Sequence, residues 1–218
     1  NKNFKKISGK PLFRWILDSL LSCEKIDLIC INTDARAVLN DNGLFEDDRV
    51  IIRDRDEQLC GDHVSMNLII NDDIEAIAAE RYIMTHATNP LLSPTTINNA
   101  LDAYATATTN NAFDSLFGVT KFQTRFYKKD GSPINHDPNN LIRTQDLEPW
   151  YEENSCVYLF SKQSFKMTGA RIGERPVLFE IPKLETVDID DQDDWYLAEA
   201  LTKNMDQGIF LQKLSDGL

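Results

Sequence analysis

Two carboxylates separated by one apolar residue stand near the C-terminus, at Asp188-Ile189-Asp190. Side chains alternate between faces in an extended segment, so both acids would share one face and Ile189 the other. Paired hard oxygen ligands suit Mg2+ held against phosphates. The same stretch also reads as a helix start. Asp190 or Asp191 can cap the helix that follows, and Asp193 and Asp194 favour its first turn. Both readings can hold for neighbouring residues. At the other end, Lys2-Asn3 with Lys5 and Lys6 precedes Gly9-Lys10-Pro11. Lysines at a sheet edge can pair with triphosphate oxygens, or form only a solvated basic face.

Other candidates are more isolated. In Arg143-Thr144-Gln145-Asp146 the arginine fork suits a planar carboxylate, and Gln145 could read a polyhydroxylated ligand; a surface ion pair is the alternative. Arg55 could touch a nucleotide or satisfy Asp62. His86 falls at the end of an expected strand, where ligands bind in open α/β sheets, or it is a core histidine. His63 and His136 show no metal or triad spacing. Walker A, GxSxG and GxGxxG stretches are absent, which leaves kinase and hydrolase classes without support.

The elements that must position these groups follow from pattern. Pro11 opens a helix to about Leu21, with Leu12, Trp15, Ile16 and Leu20 at helical spacing. Short apolar runs at Ile26 to Ile31, Val50 to Ile52 and Arg81 to Met84 read as buried strands. A helix covers about Val64 to Ile74, and another runs from the Ser93 cap and Pro94 to about Thr108. This alternation predicts a mostly parallel sheet flanked by helices, with Asn32-Asp34 and His86-Pro90 on one edge. Strands follow at Ser115 to Val119, Tyr151 to Phe160 and Val177 to Ile181, and a last helix at Asp191 to Asn204. Between them, about 122–150 reads as a protruding hairpin subregion. An exposed apolar arm of that kind usually meets a partner subunit.

Bulk properties narrow the class. A chain of 218 residues, 42% of them hydrophobic, supports one substantial domain over 1–218. A net charge of -12 opposes general nucleic-acid binding. Four cysteines without a CxxC pair argue against structural zinc and fit a reducing compartment. No apolar run approaches a membrane span, and a cytoplasmic location is expected.

Read together, the segments resemble the acylneuraminate cytidylyltransferases (CMP-sialic acid synthetases) and their legionaminic, pseudaminic and ketodeoxyoctonic acid relatives. The blocks are Lys2-Asn3-Phe4-Lys5, Ile7-Ser8-Gly9-Lys10-Pro11-Leu12, Ile31-Asn32-Thr33-Asp34, "RDEQLCGD" from Arg55, "HATNPLL" from His86, "FDSLFGVT" from Phe113, "RTQDLEPWYEENSCVYLF" from Arg143 and "VDIDDQDDW" from Val187. Their order and spacing cover about 190 residues, and together they carry the resemblance. It implies a three-layer nucleotidyltransferase fold and attack of a 2-keto-3-deoxy sugar acid on the α-phosphorus of CTP, releasing pyrophosphate. It implies Mg2+ at Asp188 and Asp190, Lys2 on phosphate, and Asn3 and Arg55 on the nucleotide. His86, Arg143 and Gln145 would lie on the acceptor side, and a homodimer would form through the middle region.

Two departures accompany the resemblance. His86 stands where the family commonly has glutamine. The family also places an apolar strand and an Ala-Arg-x-Gly-Ser-Lys loop before the Lys-Asn pair, so a longer chain carrying them is expected. The competing expectations are an inactive nucleotide-binding or scaffold protein on the same fold, and a nucleotidyltransferase for another small sugar.

Overall fold

The computed structural model describes residues 2–42, 44, 47–61 and 63–206, without the side chains of residues 205 and 206. Strands β1 (Lys6–Ile7) and β2 (Lys10–Pro11) form a minimal antiparallel pair. Ser8 and Gly9 close it with φ of 47° and 82°. Positive φ at both turn residues matches the twist of a two-residue hairpin. Helix α1 (Leu12–Leu21) follows, apolar on more than one face. It therefore serves two clusters: Phe13, Ile16, Leu17 and Leu20 enter the main core, whereas Leu12 and Trp15 pack with Ile7, Ile189 and Ala198.

Next come β3 (Ile29–Thr33), α2 (Arg36–Asp41), β4 (Val50–Asp54), α3 (Met66–Ala76), β5 (Tyr82–Met84) and α4 (Pro94–Thr108). Ser93 caps α4 through its side chain, and Pro94 fills the first turn, as the sequence predicts. The chain continues through β6 (Ser115–Phe122), β7 (Trp150–Phe160), α5 (Lys162–Thr168), β8 (Pro176–Glu180) and α6 (Gln192–Asp206). Phe13 of α1 and Ile97, Ala100 and Tyr104 of α4 pack with Val157 and Leu159 of β7. Ile70 and Ile74 of α3 and Phe165 of α5 pack with Tyr158 and Phe160. Helices thus cover both faces, in an α/β arrangement.

The expectation of a mostly parallel sheet is not met. Strands β3 and β4 pair in parallel, but the four-stranded sheet runs β5-β7-β6-β8, with β7 antiparallel to both neighbours. A buried strand is apolar whichever way it points, so composition did not reveal the reversal of β7. The expected hairpin at 122–150 is short: it turns at Asp130-Gly131 around an antiparallel Tyr127–Pro133 bridge. Phe122 pairs with Trp150, and beyond this pair the Lys128 and Ile134 N–H groups donate to the Ser132 and Phe126 carbonyls at 2.8 and 2.9 Å, followed by a short 3-10 turn, Thr144–Asp146. The segment is an irregular arm whose Phe126 stacks on Trp150 at 5.4 Å. No described helix is long and apolar enough to cross a membrane.

Candidate functional site

The segment carrying the acidic pair is stitched to the loop after β5. Glu185 accepts from the backbone and hydroxyl of Ser93 at 2.8 and 3.0 Å. The Ile189 N–H donates to the Thr88 carbonyl at 3.0 Å, two residues past His86. Ile189 itself is 1% exposed and seated in the cluster of Ile7, Leu12, Trp15 and Ala198. Backbone pairing on one side and an apolar anchor on the other fix where Asp188 and Asp190 stand.

The capping reading of this segment falls on Asp191 and Asp194. Asp191 accepts from the N–H groups of Asp193 and Asp194 at 2.8 and 3.0 Å. Asp194 in turn accepts from the N–H groups of Asp190 and Asp191 at 3.0 and 3.1 Å, which depresses its pKa. That reciprocal cap satisfies the start of α6. Neither the Asp188 nor the Asp190 side chain is used in it.

Lys2 lies against this segment. Its Nζ donates to the Ile189 carbonyl at 2.5 Å and to Asp190 Oδ1 at 3.1 Å. Lys2, Lys5, Lys6, Asp190, Gln192 and Trp195 line a cleft of 390 Å³. The Lys5 ammonium lies 5.9 Å from the Trp195 ring centre. Such a cleft offers cations to an anion and a flat apolar wall beside them.

His86 shares this region. Burial, chiefly, holds its imidazole below the ordinary value, and the charge of Arg171 acts the same way, while Asp188 and Asp190 oppose both. The histidine therefore favours its neutral form, able to donate and accept one hydrogen bond each. Asp188 and Glu185 also add to the burial that pushes the Cys156 thiol up to about 12.

The remaining expected site residues are not joined to the acidic pair by any hydrogen bond or ion pair among the described residues. Arg55 follows β4 and donates to the Asn32 side chain and carbonyl at 2.8 and 2.9 Å. Its expected partner, Asp62, lies outside the described residues. Arg143 forms a two-bond fork with Asp146 at 2.7 and 2.9 Å on the exposed arm. Gln145 sits in the same turn, its carbonyl accepting from Gln123. Asn3 is exposed in the first turn. Sequence reasoning overlooked Arg171, Glu153 and Tyr158, which meet only because the chain returns from α5 to β7; no local spacing signals them.

Among the described residues, no cluster of three or more His, Cys, Asp or Glu could hold a metal alone. Mg2+ rarely uses such a cage; one or two carboxylates with phosphate oxygens and water are its usual set. Asp188 Oδ1 is a buried acceptor without a donor. A buried carboxylate oxygen left unpaired is costly, and a cation would satisfy it. The donor set therefore fits a cation that arrives with phosphate.

A family model described as cytidylyltransferase matches residues 1–208. The N-acylneuraminate cytidylyltransferase of Oncorhynchus mykiss is 27% identical over 208 residues, covering 91% of this chain and 46% of that protein. A pseudaminic acid cytidylyltransferase of Campylobacter jejuni is 22% identical over 213 residues, covering 93% and 89%. The chain thus spans about half the length of the fish relatives it matches. Among solved structures, 4-diphosphocytidyl-2C-methyl-D-erythritol synthase from Anaerococcus prevotii superposes with a TM-score of 0.66 at 13% identity, over 92% and 93% of the two chains. CMP:2-keto-3-deoxy-manno-octonic acid synthetase complexed with CTP gives 0.62 at 13% identity, over 94% and 92%. At those identities the structures establish the fold alone.

Proposed function

Because the chain belongs to the cytidylyltransferase family, we propose that it transfers the cytidylyl group of CTP to an acidic 2-keto-3-deoxy sugar, an N-acylneuraminate or related nonulosonate. The anomeric hydroxyl forms the new bond to the α-phosphorus, the α–β anhydride breaks, and CMP-sugar and pyrophosphate leave. The observation that carries this reading is the acidic pair. One carboxylate oxygen is buried without a donor, and its neighbour is held by a lysine that opens onto a basic cleft. The curated relatives act on acids of this kind, which supports the acceptor class.

In this reading Asp188 and Asp190 hold Mg2+, which when bound supplies charge neutralisation to the phosphates. Lys2 exchanges its bond to Asp190 for a phosphate oxygen, and Asn3 and Arg55 orient the nucleoside. The Asn32 bonds pre-set the Arg55 guanidinium, so little freedom is lost when it meets a ligand. His86 offers a neutral ring to the acceptor, with Arg143 and Gln145 on the acceptor side. Most of the rate comes from positioning and electrostatics, as in phosphoryl transfer generally. Tyr127, Ile134, Leu141 and Ile142 expose apolar surface on the arm, and a homodimer formed there is part of the proposal.

The test crosses the four common nucleoside triphosphates with sialic, legionaminic, pseudaminic and ketodeoxyoctonic acids in a pyrophosphate-release assay. Turnover that requires CTP and Mg2+ is expected with at least one acid. Failure of every acid with the full-length protein would remove the proposal. Sedimentation at micromolar concentration should show a dimer.

A further inference from the structure

A second polar group gathers on β7. The guanidinium carbon of Arg171 lies 3.9 Å from the centre of the Tyr158 ring. Its Nη2 donates to the Tyr158 hydroxyl at 3.0 Å and to Glu153 at 3.4 Å, and that hydroxyl donates to Glu153. The Arg171 backbone N–H is held by Asn67 of α3 at 3.3 Å. Tyr158 pairs with Met84, two residues before His86.

Glu153 and Tyr158 are five apart on β7, an odd spacing that puts side chains on opposite faces of a regular strand. Their partners on β6 are Val119 and Phe117, only two apart, so β7 carries three extra residues between the pairs. Ser155, inside that bulge, has φ of 58°. The irregularity turns Glu153 onto the Tyr158 face. A non-glycine residue in this conformation costs on the order of 1 kcal/mol or more, and such bulges concentrate beside active sites. Tyr158 stands opposite Met84 at the end of β5, two residues before His86, and the charge of Arg171 also acts on the His86 imidazole.

In a 2-keto-3-deoxy sugar acid, the acid group is attached to the anomeric carbon itself. With the anomeric oxygen at the acidic pair, the remaining ring substituents extend away from it, past His86. Glu153 disfavours a second acid there. A guanidinium–carboxylate pair instead offers donors and an acceptor together, the complement of an amide or hydroxyl. Resting on the cytidylyltransferase reading above, we propose that Arg171 and Glu153, levelled on Tyr158, are the specificity-determining pair for the acceptor's distal substituent. They select an acylamido or hydroxyl group over hydrogen or an apolar group.

The experiment compares kcat/KM for the ulosonic acid the wild type uses best with that for its analogue bearing hydrogen at the distal acylamido or hydroxyl position. Wild type should prefer the substituted acid by about tenfold or more. Arg171→Met and Glu153→Gln should each bring the ratio toward one, with KM for CTP unchanged. A lower melting temperature with an unchanged ratio would make the pair a structural tie and overturn the inference. Equal losses on both acids would also overturn it, with the cytidylyl transfer still standing. A wild type that turns over no ulosonic acid would remove both.

Discussion

Lys2 and Asp190 are joined across almost the entire chain, with the lysine Nζ 3.1 Å from Oδ1 and 2.5 Å from the neighbouring Ile189 carbonyl. The first turn is thereby latched to the acidic segment, and under the proposed function the same cation would meet a phosphate. The carboxylate side is 80% exposed and the lysine 41%, so the pair contributes only about 0–1 kcal/mol to stability. Lys2→Met should therefore melt within a few degrees of wild type, yet raise KM for CTP by about tenfold. An unchanged KM would remove Lys2 from the nucleotide site.

Asp188 carries the opposite balance. Its Oδ1 is buried without a donor, so Asp188→Ala removes an unsatisfied acceptor. In the absence of divalent cation and CTP, the variant should be as stable as wild type or more so, by about 1 kcal/mol in urea unfolding. Turnover should fall by about a hundredfold or more. Loss of stability without loss of turnover would make Asp188 a structural residue.

His86 gives the protein a pH signature. Its folded pKa lies below the ordinary 6.5, chiefly through burial. As pH falls, the unfolded chain takes up the proton first, and stability declines. The contribution is complete above about pH 6.5 and is lost as pH drops through the lower folded value. Melting temperatures measured from about pH 7.5 to about pH 5.5 should fall more steeply for wild type than for His86→Gln. Parallel curves would contradict the buried neutral imidazole.

Gly118 tests the bulge that aims Glu153. A Cβ there would stand 2.6 Å from Ile181 Cδ1 and 2.8 Å from Asn154 Oδ1. The same Asn154 oxygen accepts the Cys156 N–H inside the bulge. Gly118→Ala should cost about 1–3 kcal/mol and alter acceptor KM more than CTP KM. Wild-type stability in chemical denaturation would show that the strand accommodates the methyl group.

Much of the frame is visible in the sequence because local chemistry decides it. Ser93 and Pro94 start α4, and Ile29–Thr33 and Val50–Asp54 are apolar runs ended by polar residues. The acidic motif is equally local, although only the structure shows that Asp191 and Asp194 take the capping role and leave Asp188 and Asp190 unused by it. Long-range relations were not legible. The direction of β7, the binding of Arg55 to Asn32, and the meeting of Arg171 with Tyr158 depend on how distant segments return to one another. Strand β3 also begins at Ile29 rather than Ile26, after the exposed Leu28.

Ile189 gives the acidic motif its aim. Wedged among Ile7, Leu12, Trp15 and Ala198, it works like a dowel whose depth sets the angle of the two acids beside it. Shortening that dowel would leave every charge in place and still shift the segment that bears them. The tolerance of the site to change is thus governed by oil-like packing between the two ends of the chain, and a screen confined to polar residues would overlook it.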